Sequence, residues 1–460
     1  MSREHSSESR ASRCRYWPAS DIWSEKLLRV IDLSGAGPDY SGIIPRPKII
    51  GDLPVSAVRD IIQQVREHGD QALLDLTKKF DSVSLLNIEV TRDEIEEAYS
   101  EIDPQLRDAL EAAAFGIEEY HKLELEEPKH FDNRGIKVIH KAIPMARAGC
   151  YVPGGLARYP SSVLMTAVPA KVAGVKEVFL VVPPTKSGGV DLATLAAAKI
   201  ASVDRVFKVG GAQAIAALAY GTETIPKVDT IVGPGNVYVS VAKREVAGEV
   251  AIPSSFAGPS EVVVVADSSV PAKWAAMDVI VQAEHGPDGL AWLVTWDQKY
   301  ALEVSKEVEA ILQNSPRAKE TNRTLKDGGY VALVRDRAQA LEVANEIAPE
   351  HLELLYRQAQ DDLDLVRNAG AVFYGPLSPA SFGDYVAGPS HVLPTFGSAR
   401  FASALKVGDF MKYIHFVEVS ERGLDQLGWA VERLARVEGL YAHEQSVAIR
   451  RGKEAEEGGL

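Results

Sequence analysis

The chain has 460 residues, enough for two or more domains built around substantial cores. Its composition, 46% hydrophobic and 25% charged, is that of an ordinary globular protein, and a formal net charge of -14 leaves no basic excess to track a nucleic-acid backbone. Cys14 and Cys150 are the only cysteines, which excludes a disulfide framework and a cysteine zinc site and leaves His, Asp, Glu and Gln as metal ligands.

No apolar run approaches the roughly 20 residues that a membrane helix needs. Residues 1–26 are rich in Ser and Arg but include Glu4 and Glu8 and lack an apolar centre, so they read as a flexible extension ahead of a transit peptide. The expected partners are small molecules, with neither nucleic acid nor membrane involved, and the expected location is the cytoplasm.

Helical spacing of apolar residues predicts helices over 55–80 and 91–125. From residue 175 onward, strands alternate with helices. Residues 178–182 form a continuous apolar run of the kind buried on both faces of a parallel sheet. Asp191 is placed to cap a helix through Ala201, and strands follow at 205–209 and 230–232, with helices ending near Gly221 and at Val246. A second run gives strands at 262–266, 291–295, 330–334, 352–355 and 371–374, separated by helices at 271–284, 300–312 and 337–347. This pattern predicts an α/β protein with two parallel sheets. An amphipathic helix over 424–438 leads to His443 and a charged, Gly-rich end.

The dinucleotide fingerprint Gly-x-Gly-x-x-Gly is missing: Ser34-Gly35-Ala36-Gly37 runs into Pro38 and Asp39 with no third Gly. Three other Gly motifs stand out, namely Tyr151-Val152-Pro153-Gly154-Gly155, Gly210-Gly211-Ala212-Gln213 and Gly233-Pro234-Gly235-Asn236. Two of them fall at carboxyl ends of predicted parallel strands, where open α/β sheets bind ligands, although turn chemistry alone also explains glycine there.

Metal-capable and proton-transferring side chains are scattered through the C-terminal half: Gln282 with His285, Glu350-His351, Asp384, and Glu438 with His443. Gln282 and His285 lie three apart near the end of a predicted helix and so share a face. Taken singly, each candidate has a plain structural explanation. Glu350-His351 marks a Pro-induced break, Asp384 suits an Asx-turn, and His391 reads as a loop residue. His5, His68, His121 and His130 occur among charges that suggest solvated faces.

Taken in this order, the motifs resemble those of histidinol dehydrogenases. The resemblance covers roughly residues 28–450 and is densest at 151–168, 209–243, 257–267, 282–288, 348–352, 381–395 and 438–450. It implies a zinc enzyme that oxidises L-histidinol to L-histidine through the aldehyde with two NAD in succession. It also implies two Rossmann-like parallel-sheet domains without the usual Gly fingerprint, plus small helical N- and C-terminal parts. By motif, the implied zinc ligands are Gln282, His285, Asp384 and His443, and these would also contact substrate. The implied proton-transfer pair is Glu350 and His351, the substrate contacts include Ser260, Glu438 and His351, and the NAD contacts are Tyr151, Gln213 and Asn236. A homodimer is implied, with Glu438 and His443 completing the partner's site.

The implied division is a helical part at 27–150 completing the second α/β domain, an NAD-contacting domain at 151–259, a second α/β domain at 260–390 and a helical dimerisation tail at 391–460. Departures from the family pattern are Ser254 and Phe256, where an Asp and a Pro are expected, and Gly289, where Ser or Ala is usual. They bear on substrate preference, which leaves a related dehydrogenase of another small polar alcohol, such as a sulfonated diol, as one alternative. An idle metal-binding homologue is a second, disfavoured because such a protein has no use for both Glu350 and His351.

Overall fold

The computed structural model describes residues 27–37, 39–40, 42–46, 53–154, 158–253, 258–286 and 289–452. The N-terminal extension with His5 and Cys14, and also Ser254 and Phe256, lie outside these residues. In chain order the strands are β1 (Arg29–Asp32), β2 (Lys129–Asn133), β3 (Ile136–Pro144), β4 (Arg147–Tyr151), β5 (Glu177–Val182), β6 (Arg205–Lys208) and β7 (Thr230–Val232). They continue with β8 (Glu261–Ala266), β9 (Leu290–Thr295), β10 (Gly329–Leu333), β11 (His351–Leu355), β12 (Ala371–Tyr374) and β13 (Met411–Val419).

Two sheets are wholly parallel, as the alternating pattern predicts. One runs β6-β5-β4-β7 and the other β1-β10-β9-β8-β11-β12. In each, the first strands run outward one way and the chain then returns to the far side of its starting strand. That reversal creates a topological switch point between β4 and β7 in the first sheet, and between β8 and β11 in the second.

Both sheets are covered on both faces. Val262, Val264 and Ala266 of β8 pack with helices Ala272–Val281 and Gln298–Gln313, while Val263 and Val265 pack on the other side with helix Arg337–Ile347. In the first sheet, Val178, Leu180 and Val182 face helices Pro160–Val172 and Leu192–Ile200, and Phe179 and Val181 face Val55–Asp81 and Gly211–Tyr220. Each fully buried aliphatic side chain contributes on the order of 1.5–3 kcal/mol. This explains why these strands read as unbroken apolar runs and not as alternating ones.

Several expectations are corrected. The helix expected over 91–125 is two, Arg92–Glu101 and Pro104–Lys122, because Asp103 caps the second by accepting from the Leu106 N–H at 3.0 Å and Pro104 supplies its first residue. The helix at Val55–Asp81 is interrupted at Gly69, whose φ is 51°. The domain split also differs. Only β1 joins the six-stranded sheet, whereas Val58, Ala98 and Ile117 of the N-terminal helices belong to the cores of the four-stranded sheet. β4 starts before residue 151, so that boundary cuts a strand.

The tail is not purely helical. β13 pairs antiparallel with β3, which also pairs with β2, and Val392, Leu405, Val407 and Phe410 pack into the core of the four-stranded sheet. His121, expected on a solvated face, is fully buried, with Nδ1 2.8 Å from the Ile117 carbonyl. His68 and His130 are exposed. No helix among the described residues is long and apolar enough to cross a membrane.

At the first switch point, Gly233 has φ of 101°, and a Cβ there would run into the Tyr151 carbonyl oxygen. Gly233→Ala is therefore expected to cost about 1–3 kcal/mol from strain alone, read as a lowered melting temperature. A melting curve that matches the wild type would refute this close-packing argument.

Candidate active site

The second switch point holds the proton-transfer candidates, at the amino ends of β8 and β11 and not at their carboxyl ends. Parallel pairing sets His351 beside Val262, so that Glu350 and His351 meet the residue before it, Glu261. The Glu261 N–H donates to Glu350 Oε2 at 3.0 Å, and His351 Nδ1 lies 3.3 Å from the Glu261 carbonyl. A carbonyl can only accept, so Nδ1 carries the hydrogen and Nε2 is the nitrogen left for chemistry. Ser260 is half-buried immediately before this pair, and its carbonyl accepts from the Leu290 N–H at 3.1 Å.

Asp384 comes to the same place on the short helix Ser381–Tyr385, not in a simple turn. That helix sits on Phe373 of β12, because Gly383 leaves no Cβ to meet the ring. The same ring stacks on His351, with centroids 6.1 Å apart. Asp384 Oδ1 is 3.4 Å from His351 Nε2, and its Oδ2 accepts from Gln282 Nε2 at 3.2 Å. Gln282 is buried and starts a 3-10 turn, Gln282–His285, just past the end of helix Ala272–Val281. The backbone of His285 is in this turn, but its side chain lies outside the described part.

Burial by itself pushes the His351 imidazole down, but the carboxylates of Glu350 and Asp384 outweigh it and raise the ring to about 10. Burial and the Glu350 charge push Glu261 up to about 8, against N–H groups of Gly397 and Phe396 that favour its charged form. The first site is thus a buried imidazole held between two carboxylates, with an amide beside one of them.

The NAD candidates gather at the carboxyl edge of the other sheet. Tyr151 ends β4, and its hydroxyl accepts from the Gly211 N–H at 3.2 Å. Gln213 is buried in the first turn of the helix after β6. Asn236 follows β7 and caps helix Val237–Val246, accepting from the Tyr238 and Val239 N–H groups at 3.0 and 3.2 Å. The two edges are joined through His391, which is more than a loop residue. Its Nδ1 donates to the Asp384 carbonyl at 2.9 Å, and its Nε2 lies 3.2 Å from Ser162 Oγ in the helix after β4.

The structure does not bring all candidates together. Glu438 and His443 are exposed at the end of helix Glu421–Val437 and on helix Tyr441–Ala448, which pack on each other, the first also touching β13. Among the described residues no group of three or more His, Cys, Asp or Glu is arranged to hold a metal ion. Gln282 and Asp384 nevertheless suit a zinc ion, because an amide oxygen and a carboxylate are acceptable donors and the amide needs only a half-turn to present its oxygen. Sequence reading missed Glu261, Phe373, Asp278 and Glu353. The available signal was an acidic residue inside an otherwise apolar strand, His351-Leu352-Glu353-Leu354-Leu355.

Comparison with known proteins gives the family. The family model described as histidinol dehydrogenase matches residues 48–451. Histidinol dehydrogenase of Bacillus cereus is 47% identical over 406 residues, 87% of this chain and 94% of the relative. That of Pseudomonas fluorescens is 46% identical over 426 residues, 91% of this chain and 96% of the relative. The crystal structure of histidinol dehydrogenase from Elizabethkingia anophelis superposes with a TM-score of 0.89 at 34% identity, covering 93% of this chain and 98% of that one. The chain belongs to the histidinol dehydrogenase family.

Proposed function

We propose that this protein oxidises L-histidinol to L-histidine through L-histidinal, in two successive NAD-dependent steps of histidine biosynthesis in the cytoplasm. The observation that carries the reading is the buried His351 imidazole, pinned at Nδ1 by the Glu261 carbonyl and flanked by Glu350 and Asp384. Gln282, His285, Asp384 and His443 would hold one zinc. Tyr151, Gln213 and Asn236 would contact NAD, and Ser260 and Glu438 would help the zinc ligands hold the substrate.

Zinc, when bound, orients and polarises the substrate's donor atoms, and its charge offsets that of Asp384 beside His351. NAD, when bound, accepts hydride in each oxidation. In the first, His351 Nε2 takes the alcohol proton as the carbon loses hydride. Glu350, with one oxygen tied to the Glu261 N–H, draws a proton from water as that water adds to the aldehyde, and protonated His351 returns its proton to the aldehyde oxygen, which resets the imidazole. The resulting geminal diol again bears a hydroxyl and a hydrogen on one carbon. His351 takes the hydroxyl proton a second time, and the carboxylic acid results.

Purified protein with L-histidinol and NAD should form two NADH per alcohol consumed. Glu350→Gln should lower both the overall rate and the oxidation of supplied histidinal by roughly 10²–10⁴-fold. Normal histidinal oxidation by that variant would remove Glu350 from its role. Strong turnover of a sulfonated diol with none of histidinol would instead point to a related dehydrogenase.

Metal analysis of the purified protein should give one zinc per chain, and His285→Ala and Asp384→Ala should each lose most of it. Full zinc in both variants would overturn the ligand set.

The exposed C-terminal arm supports a homodimer with shared sites. Trp429, Leu434 and Val437 are 57%, 63% and 76% exposed, and Phe416 and Val417 of β13 add to the same apolar excess. Such an accumulation of apolar surface marks an interaction face. His351→Ala and His443→Ala proteins, unfolded together and refolded, should regain activity, since one site of each mixed dimer would carry neither lesion. Mixed dimers without activity would show that each chain builds its own site.

A further inference from the structure

Four residues before Gln282, one helical turn away on the same face, stands Asp278, which is 8% exposed. Two residues after His351 on the same face of β11 stands Glu353, which is 0% exposed. That face is the one covered by helix Ala272–Val281, since Leu355 of β11 packs with that helix while Leu352 and Leu354 pack on the opposite side. Glu353 Oε1 accepts from the Ala380 N–H at 3.1 Å, at the entry to the helix that carries Asp384. Its buried Oε2 has no hydrogen-bond partner, and Asp278 of the covering helix is near enough to act on the carboxyl.

Two rungs therefore bear on helix Ala272–Val281 and the Asp384 helix, the outer one directly and the inner one through Glu353 of β11, which holds the Ala380 N–H. The outer rung is Gln282 with Asp384, and the inner rung is Asp278 with Glu353. Two carboxylates at this depth cannot both stay charged. Burial, followed by the Asp278 charge, holds the Glu353 carboxyl well above its usual range, while burial brings Asp278 up to about 6. A neutral Glu353 carboxyl can donate toward Asp278 where two charged carboxylates would only repel.

We propose that Glu353 and Asp278 are positioning residues for the zinc site: by tying helix Ala272–Val281 to the Asp384 helix, they set the separation of Gln282 and Asp384. The inference rests on the reading that Gln282 and Asp384 hold the metal. The pair touches neither substrate nor NAD in that reading. Its loss should therefore weaken zinc binding while leaving the turnover of zinc-saturated enzyme nearly intact.

The test is zinc affinity of the full-length protein, measured by competition with a chromophoric chelator, together with kcat at saturating zinc. Glu353→Gln keeps an oxygen for the Ala380 N–H and gains an amide to donate to Asp278, so its affinity should stay within about threefold of wild type. Glu353→Leu removes both links and should weaken zinc by about tenfold or more, the scale of a lost outer-shell partner. Its kcat at saturating zinc should change by less than about twofold. Asp278→Ala keeps the Ala380 link and loses only the strut, so it should fall between the two, and it decides the matter if Glu353→Leu does not fold. Zinc bound as tightly by Asp278→Ala and Glu353→Leu as by wild type would overturn the proposal, as would Glu353→Gln failing as badly as Leu. Asp384→Ala is the reference: if it too binds zinc normally, the ligand assignment has failed and not the strut alone.

Discussion

The register between β8 and β11 is the constraint on which the site depends. Because His351 pairs with Val262, one residue, Glu261, presents its N–H to Glu350 and its carbonyl to His351. Main-chain groups of a sheet buried on both faces barely move, so the two functional side chains are held by the most rigid part of the molecule. A slip of one residue would turn His351 and Glu353 to the opposite face and bring Leu352 and Leu354 to the site. The apolar packing of Leu352 and Leu354 against helix Arg337–Ile347 opposes that slip.

The same edge concentrates charge where charge is expensive. Glu261, Glu350, His351, Glu353 and Asp278 are all buried, against a core built mostly of valine, leucine and alanine. Desolvating an ion in such surroundings costs several kcal/mol unless it is paired or neutralised. The chain uses both remedies. The carboxylates beside His351 favour its charged form, a bias that a cation on Asp384 would offset, while burial pushes Glu261 and Glu353 toward their neutral forms. Stability alone does not call for such an arrangement, since apolar residues would fill the space at less cost. A core that gathers this many ionisable groups at one edge points to function there.

The two parallel sheets contribute opposite edges. The four-stranded sheet offers the carboxyl ends of β4 and β7, the usual ligand crevice of an open α/β sheet, with Tyr151 and Gly233 in contact there. The six-stranded sheet offers the amino ends of β8 and β11. His391 links them, donating to the Asp384 carbonyl on one side and meeting Ser162 on the other. A group bound at the first edge and a group bound at the second are thereby tied to one frame, as hydride transfer between them would require.

Much of this was legible before any coordinates. The buried strands announced themselves because a strand covered on both faces must be apolar throughout, as 178–182 and 262–266 are. Asp191 declared a helix start through capping chemistry, which is local. The ordered motifs carried the family and named candidate site residues. The short or exposed strands β1, β2, β3, β4 and β13 were not legible, because edge and two-sided polar strands carry no periodic signal that differs from a loop. Nor was the placement of the N-terminal helices on the four-stranded sheet, since an amphipathic face states that it will be buried and not against what. His121 and His391 illustrate the same limit. Their neighbours in sequence are polar or loop-like, yet His391 is enclosed by segments far away in the chain and His121 by the packing of its helix. Composition and motif determine which residues can do chemistry. Which of them meet is decided by long-range pairing, because a hydrogen bond between Gln282 and Asp384 spans 102 residues that only the folded sheets bring into register.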